Sequence, residues 1–404
     1  MDLELRPITE EEFSTWSRGL ERAFGFHGDE EGEAAWRSVT ELDRTLAALT
    51  GGDIVGTAGA FSFDMAVPGG ATLPAAGVTA VSVRSTHRRR GVLRQMMARQ
   101  LADVAERGEP IAVLTASEAV IYGRFGYGLA TQYWGWKLRT EGTTLAQRSR
   151  AEGAVRLVEK DEAATLLPGI RERVWRRHPG EMGWSQTWWD RWFKDLKNDR
   201  EGASALWFAV HTSAAGDADG YVAWRSKPGW DGALPNGELR IQHLYGVDEE
   251  VEAALWEHLL QVDLVRTITG WGRPVEEPLR WRLADARRLQ VNHVGDHLWV
   301  RILDVERALS ARELGADDRL VIEVVDGFRS ATAGTYAVEP GSCRRTDAAA
   351  DLSIHVRDLS AMYLGGVSAT TLARAGRIDG DSAALQRADR LFASSATPWC
   401  ATDF

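Results

Sequence analysis

Apolar and polar positions along the chain alternate, change period and break in a way that predicts mixed α and β structure. Leu3–Ile8 alternates as a first strand, and Thr9 with Glu12 forms a capping-box pattern for a helix through Phe13, Trp16 and Leu20. Phe24–Glu33 (FGFHGDEEGE) reads as a glycine-broken acidic loop, after which Ala34-Ala35-Trp36 opens a short helix. Ile54–Val67 alternates small and bulky residues and turns at Pro68-Gly69-Gly70, the pattern of a long hairpin arm. Ala76–Val83 is a strand, and the apolar positions Val92, Leu93, Met96, Met97, Leu101 and Val104 then recur at helical spacing. Ile111–Ala116 has the length and flanks of a buried strand, and Ala130–Leu138 those of another.

From about Thr140 the pattern changes. Glu152–Leu167 and Pro168–His178 read as a strand and then helices. The tryptophan-dense stretch Trp184–Phe193 fits one apolar helix face better than a sugar or cation site. Strands at Ala205–Thr212, Gly220–Trp224 and Leu239–Val247, then a helix at Glu249–Gln261, repeat the order of the first region. Leu298–Val305 and a helix at Glu306–Leu314 lead into strands at Arg319–Val325, Gly334–Val338 and Asp351–Val356. A helical Met362–Gly366, Ser368–Ala375, a turn at Gly376–Asp381 and a helix to Phe392 follow.

Composition narrows the function classes. The 404 residues are enough for two or three domains with real cores, and 44% apolar with 26% charged residues is ordinary for a soluble globular protein. A net charge of -10 argues against nucleic acid as main partner, because phosphate binding needs a cationic face. It fits a cationic small molecule, although acidity for solubility alone is common. Cys343 and Cys400 are far apart and show neither metal spacing nor a disulfide framework, so a reducing, cytoplasmic compartment and no metal are expected. The N-terminus lacks a signal-peptide pattern, and no apolar run is long enough to span a membrane.

The chemistry concentrates in Val81–Val92 (VSVRSTHRRRGV), where a β-branched strand passes through three arginines and a glycine into a helix. N–H groups at a helix N-terminus lack internal partners, the dipole there favours an anion, and arginines add charge-assisted bonds. By itself the run fits a phosphate cradle, a solvated basic turn or a small nucleic-acid patch. Further on, SEAVIYGRFGYG contains a Gly-x-x-Gly-x-Gly that precedes a strand and opens no helix, so it is a tight turn and not a dinucleotide loop. An acidic loop beside aromatics suits a polyamine-type cation, or is simply solvated.

The run V-x-V-x-x-x-x-R-R-x-G-V resembles the acetyl-CoA signature of the GCN5-related N-acetyltransferases. Taken with SEAVIYGRFGYG at its spacing and the last residues, it resembles the enhanced-intracellular-survival (Eis) family. The resemblance spans essentially the whole chain. It implies a mixed α/β (α+β) architecture of tandem acetyltransferase domains followed by a sterol-carrier-protein-like domain that serves as structure. The expected boundaries are 1–138, 139–293 without cofactor, and 294–404, with about 294–312 completing the first sheet. It implies acetyl-CoA as co-substrate, with Val81, Ser82 and Val83 along the pantetheine arm. Arg88, Arg89, Arg90, Gly91, Val92, Leu93 and Arg94 would hold the pyrophosphate, and Ser117 and Glu118 would touch the cofactor as well. Leu93 stands where the family has a small residue.

By the same resemblance Tyr122 is the general acid that protonates the departing thiolate, and the carboxylate of Phe404 acts as base. A turn tyrosine packed under the glycines and a frayed tail are the plainer alternatives, although Thr397-Pro398-Trp399-Cys400 suggests packing. Tyrosine, with a pKa near 10, is protonated at neutral pH and suited to donate to a thiolate (thiol pKa about 8.5). A terminal carboxylate near 3.5 is a weak base unless burial raises it, or it orients the amine. Phe26 occupies an acidic substrate-loop position of the family, Trp36 keeps its place, and Asp403 would add negative charge for the substrate. The expected function is acetylation of amines on multi-amine molecules such as aminoglycosides, at more than one position, by a hexamer. The alternatives are a polyamine or protein-lysine acetyltransferase and a non-catalytic CoA- or lipid-binding protein.

Overall fold

The computed structural model describes residues 3–404, in two units by packing. One holds the chain up to Thr131, His178–Thr187 and Asp296–Phe404; the other holds Gln132–Arg177 and Trp188–Gly295.

In the first unit a seven-stranded sheet has the order β1-β2-β3-β4-β5-β16-β6. Its strands are β1 (Glu4–Arg6), β2 (Leu46–Thr50), β3 (Asp53–Ala66), β4 (Thr72–Val83), β5 (Ile111–Thr115), β6 (Gly128–Leu129) and β16 (Leu298–Ile302). Helices α1 (Phe13–Phe24) and α2 (Glu30–Val39) precede the hairpin, and α3 (Val92–Glu106) carries the crossover from β4 to β5. The short α4 (Ala119–Tyr122) follows β5. The β3–β4 arm turns through Gly69 and Gly70, at φ +93° and +80°, where the Gly70 N–H donates to the Val67 carbonyl. β16 pairs antiparallel with β5 from Leu298↔Thr115 to Ile302↔Ile111, so a strand from late in the chain is inserted between β5 and β6 of an early sheet.

A second, five-stranded sheet of this unit has the order β19-β18-β17-β20-β21. It comprises β17 (Leu320–Val325), β18 (Gly334–Glu339), β19 (Ser342–Arg345), β20 (Leu352–His355) and β21 (Ile378–Gly380), with α9 (Val305–Ala311), α10 (Val356–Met362), α11 (Ala369–Arg374) and α12 (Ser382–Phe392). The helix expected over Met362–Gly366 lies earlier in the chain: α10 ends at Met362, and Gly365 at φ +90° closes it with its N–H on the Met362 carbonyl. Arg301 on β16 is fully buried and ion-pairs with the fully buried Asp326 after β17. The other oxygen of Asp326 accepts from the Phe328 and Arg329 N–H groups at 2.9 and 3.0 Å.

The second unit repeats the topology. Its sheet has the order β15-β7-β14-β13-β10-β9-β8. The strands are β7 (Gln132–Arg139), β8 (Gly153–Val158), β9 (Trp207–Ser213), β10 (Ala218–Lys227), β13 (Gly237–Gly246), β14 (Val265–Arg273) and β15 (Leu289–Asp296), beside a ribbon of β11 (Trp230–Asp231) and β12 (Leu234–Pro235). Helices α5 (Lys160–Val174), α6 (Gln186–Lys194), α7 (Glu249–Leu260) and α8 (Leu279–Arg282) complete the set of helices. β13 runs parallel to β14 across α7, as β4 does to β5 across α3. The break expected at Pro168 is absent. α5 runs through it because Ala163, Leu167, Ile170 and Val174 bury one continuous face, which offsets the missing N–H. Trp188, Trp189 and Phe193 of α6 are buried, the helix-face reading of the tryptophan cluster.

The buried pair at the base of the first unit gives a stability prediction. Asp326→Ala leaves Arg301 charged, buried and unpaired, and should cost about 3–5 kcal/mol in a denaturant titration. A loss below about 1 kcal/mol would show that the pair is not needed to hold β16 on β17.

Candidate functional site

The site begins where two strands part. β4 and β5 pair only from Ala75↔Ile111 to Gly77↔Val113, yet β4 runs on to Val83 and β5 to Thr115. Beyond Gly77 the edge of β4 has no strand partner on that side. The Arg84 N–H donates to the Val55 carbonyl at 2.8 Å, and Ser82 lies opposite Thr57, so both face β3. Antiparallel alternation then turns the N–H and C=O of Val81 and Val83 into the cleft. A bulge displaces the strand between these pairs: Ala80 sits at φ +54°, and the Thr57 hydroxyl donates to its carbonyl at 2.7 Å.

At the far end of β4 the chain enters the arginine turn. Arg89 and Gly91 take left-handed φ of +62° and +81°, and α3 starts from Gly91 with no side chain capping it. Arg88, Arg89 and Arg90 are exposed, and among the described residues no acceptor engages their guanidinium groups. An uncapped N-terminus of a fifteen-residue helix beside three free arginines fits a diphosphate well. Val92 is buried and Leu93 half-buried against the core that holds Met97 and Tyr122, so Leu93 packs inward. Arg94 stands 5.2 Å from the ring of Phe328.

A cavity of about 390 Å³ opens at the bulge, lined by Phe26 and Trp36 on one side, Val78–Val81 on the floor, and Ser117, Tyr122 and Phe404. Tyr122 is held by α4 with its ring edge-on to Tyr127, centroids 5.9 Å apart, and among the described residues no group bonds its hydroxyl. Burial, with the Glu118 charge second, pushes its pKa up to about 12. Glu118 itself is exposed and outside the lining. Phe26 is 51% exposed. Trp36 meets Phe61 edge-on at 5.4 Å, Phe61 leads to Phe63, and Phe63 packs on Phe404 at 5.2 Å. One aromatic wall therefore joins α2, β3 and the last residue.

The tail is latched. The buried Glu181 carboxylate accepts from the Ala401 N–H and the Thr402 hydroxyl, both at 2.7 Å, and from the Met182 N–H at 3.0 Å. Trp184 Nε1 donates to the Thr402 hydroxyl, and the Trp399 N–H to the Pro179 carbonyl. The segment that holds the tail is itself bonded to the end of β3, through Ala66 and Asp64. Nothing in the local pattern around HPGEMGW signals this role, because the partners lie about 220 residues downstream.

Asp403 is exposed and does not line the cavity; its charge acts on the half-buried His297, whose pKa desolvation lowers against the opposing pull of Asp403 and Glu181. Of the expected loop, Gly25–Asp29 stays irregular and the acidic end is helix: Asp29 caps α2 by accepting the Gly32 N–H at 2.7 Å, and Glu30, Glu31 and Glu33 complement the dipole. Among the described residues no acidic side chain lines the cavity. None forms a group that could hold a metal ion, and no helix is long and apolar enough to cross a membrane.

Comparison with known proteins agrees with this geometry. An acetyltransferase (GNAT) domain matches residues 4–130, a second acetyltransferase (GNAT) domain matches 180–302, and a sterol carrier protein domain matches 305–401. A Streptomyces avermitilis protein named "Uncharacterized N-acetyltransferase" is 40% identical over 416 residues, 99% of each chain. N-acetyltransferase Eis of Mycobacterium bovis is 34% identical over 396 residues, covering 93% of this chain and 92% of that one. The crystal structure of Eis1 from Mycobacterium abscessus superposes with a TM-score of 0.89 at 31% identity, covering 99% of this chain and 100% of that one. With an open β4 edge, a phosphate-ready helix start and relatives matched from end to end, the chain belongs to the Eis family of GCN5-related N-acetyltransferases and is an acetyltransferase.

Proposed function

We propose that this enzyme moves acetyl groups from acetyl-CoA to amines of a compact multi-amine cation such as an aminoglycoside, at more than one position. The observation that carries the reading is the meeting, in one aromatic-walled cavity, of the outward edge of β4, the unbonded Tyr122 hydroxyl and Phe404. Aromatic faces attract ammonium groups without a carboxylate, and Phe26, Trp36 and Phe404 offer several such faces to a ligand with several amines. A homo-oligomer, hexameric by family resemblance, belongs to the same proposal.

The co-substrate supplies an activated acyl group as a thioester. Arg88, Arg89, Arg90 and the start of α3 hold its diphosphate, and Val81 and Val83 pair with its extended arm. The N–H groups of the bulged strand face the place where negative charge develops on oxygen. Tyr122 keeps its proton up to about pH 12, so it is loaded at every pH where the amine reacts, and it gives that proton to the sulfur. The proton lost by the amine returns to the tyrosinate, through the Phe404 carboxylate or solvent. The sheet of the second unit is proposed to work without cofactor. There Asp248 caps α7 by accepting the Glu250 and Val251 N–H groups, and Glu249, Glu250 and Glu252 crowd the first turn, which repels a diphosphate.

Thiol release should be faster with aminoglycosides than with a lysine peptide, with more than one acetyl group per molecule by mass spectrometry. Silence with every multi-amine compound would reject the substrate class. Tyr122→Phe should lower kcat by roughly 10²–10⁴-fold and leave acetyl-CoA affinity within about twofold; unchanged turnover would remove Tyr122 as the acid. A tyrosine raised to about 12 predicts no falling limb in kcat between pH 8 and 11. A limb near the ordinary value of about 10, absent from Tyr122→Phe, would contradict that shift.

A further inference from the structure

Beside the acetyl-transfer cavity lies a larger one, about 690 Å³, between α1 and the open ends of β3 and β4. Its rim carries Arg18, Arg22, Arg84 and Arg88 and one acidic side chain, Asp53. We propose that this cavity binds a phosphoryl group, at a site next to the diphosphate cradle that shares Arg88 with it and adds Arg18 and Arg22.

Sequence makes the space. Thr15, Gly19 and Ala23 recur every four residues along α1 and all line the cavity, so the helix passes over β3 with small side chains beneath it. A Cβ on Gly19 would come to 3.5 Å from the Thr57 methyl, which shows how closely the helix approaches. Arg18 and Arg22, also four apart, stand along the same opening.

The charge is uncompensated. Arg84 lies 3.5 Å from Asp53 and donates to the Ile54 carbonyl at 2.9 Å, so this pair is nearly neutral. Arg18 meets only the Thr15 hydroxyl, at 3.3 Å, and among the described residues Arg22 and Arg88 have no acceptor. Among the described residues three cations, Arg18, Arg22 and the Arg88 shared with the cradle, line this cavity without a carboxylate partner, in a chain of net charge -10. That local excess opposes the charge of the whole molecule and is the field a phosphate dianion would select.

The floor adds a second preference. Thr57 donates to the Ala80 carbonyl, so its oxygen receives the Ser82 hydroxyl proton across 2.7 Å. The lone pairs of Ser82 are then left to accept. A ligand with a phosphoryl group at the rim and a hydroxyl donor toward the floor satisfies both layers. That chemistry has two sources: the phosphorylated ribose of the co-substrate itself, whose 3′-phosphate lies beyond the diphosphate, or a separate phosphorylated metabolite.

Calorimetric titration of the full chain separates them. Acetyl-CoA and acetyl-3′-dephospho-CoA are titrated into the native protein and into Arg18→Gln/Arg22→Gln, two exposed positions outside the cradle. If the ribose phosphate is the ligand, the double variant weakens acetyl-CoA by roughly ten- to hundredfold and leaves the dephospho compound unchanged. If a separate ligand is bound, both thioesters bind the variant normally. Inorganic phosphate then still binds native protein saturated with acetyl-3′-dephospho-CoA, and that binding is lost in the variant. Arg18→Lys/Arg22→Lys should retain most of the affected binding in either case and controls for folding. Equal weakening of both thioesters would assign these arginines to the diphosphate, and no change in any titration would leave the cavity without a phosphate; either result overturns the proposal.

Discussion

The parting of β4 from β5 after Gly77 is the constraint on which the rest of the site depends. Parallel strands that stayed paired would consume the N–H and C=O groups of Val81 and Val83, and no edge would remain for a ligand. Gly77 stands at the fork for a steric reason. A Cβ there would lie 2.5 Å from the Phe63 ring and 3.2 Å from Phe404, so only glycine lets the aromatic wall close over the point of divergence. The crossover helix then begins at the far end of the cleft, which brings an uncapped N-terminus and the arginine turn to one end and Tyr122 to the other.

A single acetyltransferase sheet does not complete this cavity. β16 arrives from beyond the second unit to pair with β5, the buried Arg301–Asp326 pair joins β16 to the five-stranded sheet, and the chain after α12 returns to the end of β3. Glu181 is the fastening point. A buried carboxylate is costly unless its oxygens are filled, and three donors fill them here, two from the tail. The sterol-carrier-like sheet thus acts as a frame that delivers Phe404 to the aromatic wall.

Much of the fold was legible because period and punctuation are local. The long hairpin, the strand–arginine turn–helix unit and the repeated order of elements follow from alternation, Pro-Gly-Gly and helical spacing. Within the site, Phe26, Trp36, Val81, Ser117, Tyr122 and Phe404 come together around one cavity, although they are spread over nearly the whole chain. That gathering was available only through resemblance, since no local pattern links Trp36 to Phe404. Where local reading failed, a tertiary or capping interaction had outweighed composition. The acidic run after Gly28 became the start of α2 once Asp29 found the Gly32 N–H, and Pro168 was absorbed by a helix with a buried face. The strand expected at Ala130–Leu138 does form, as β7, and it pairs with β14 in the sheet of the second unit. Glu181 was invisible because its partners lie on the other side of the sequence.

The most direct measurement is a crystal structure of the chain with coenzyme A. The account predicts the pantetheine amides hydrogen-bonded to the backbone of Val81 and Val83 in the cleft beyond Gly77, with the diphosphate on the N–H groups at the start of α3 and the thiol beside Tyr122. A pantetheine lying outside that cleft, with Val81 and Val83 unengaged, would contradict it.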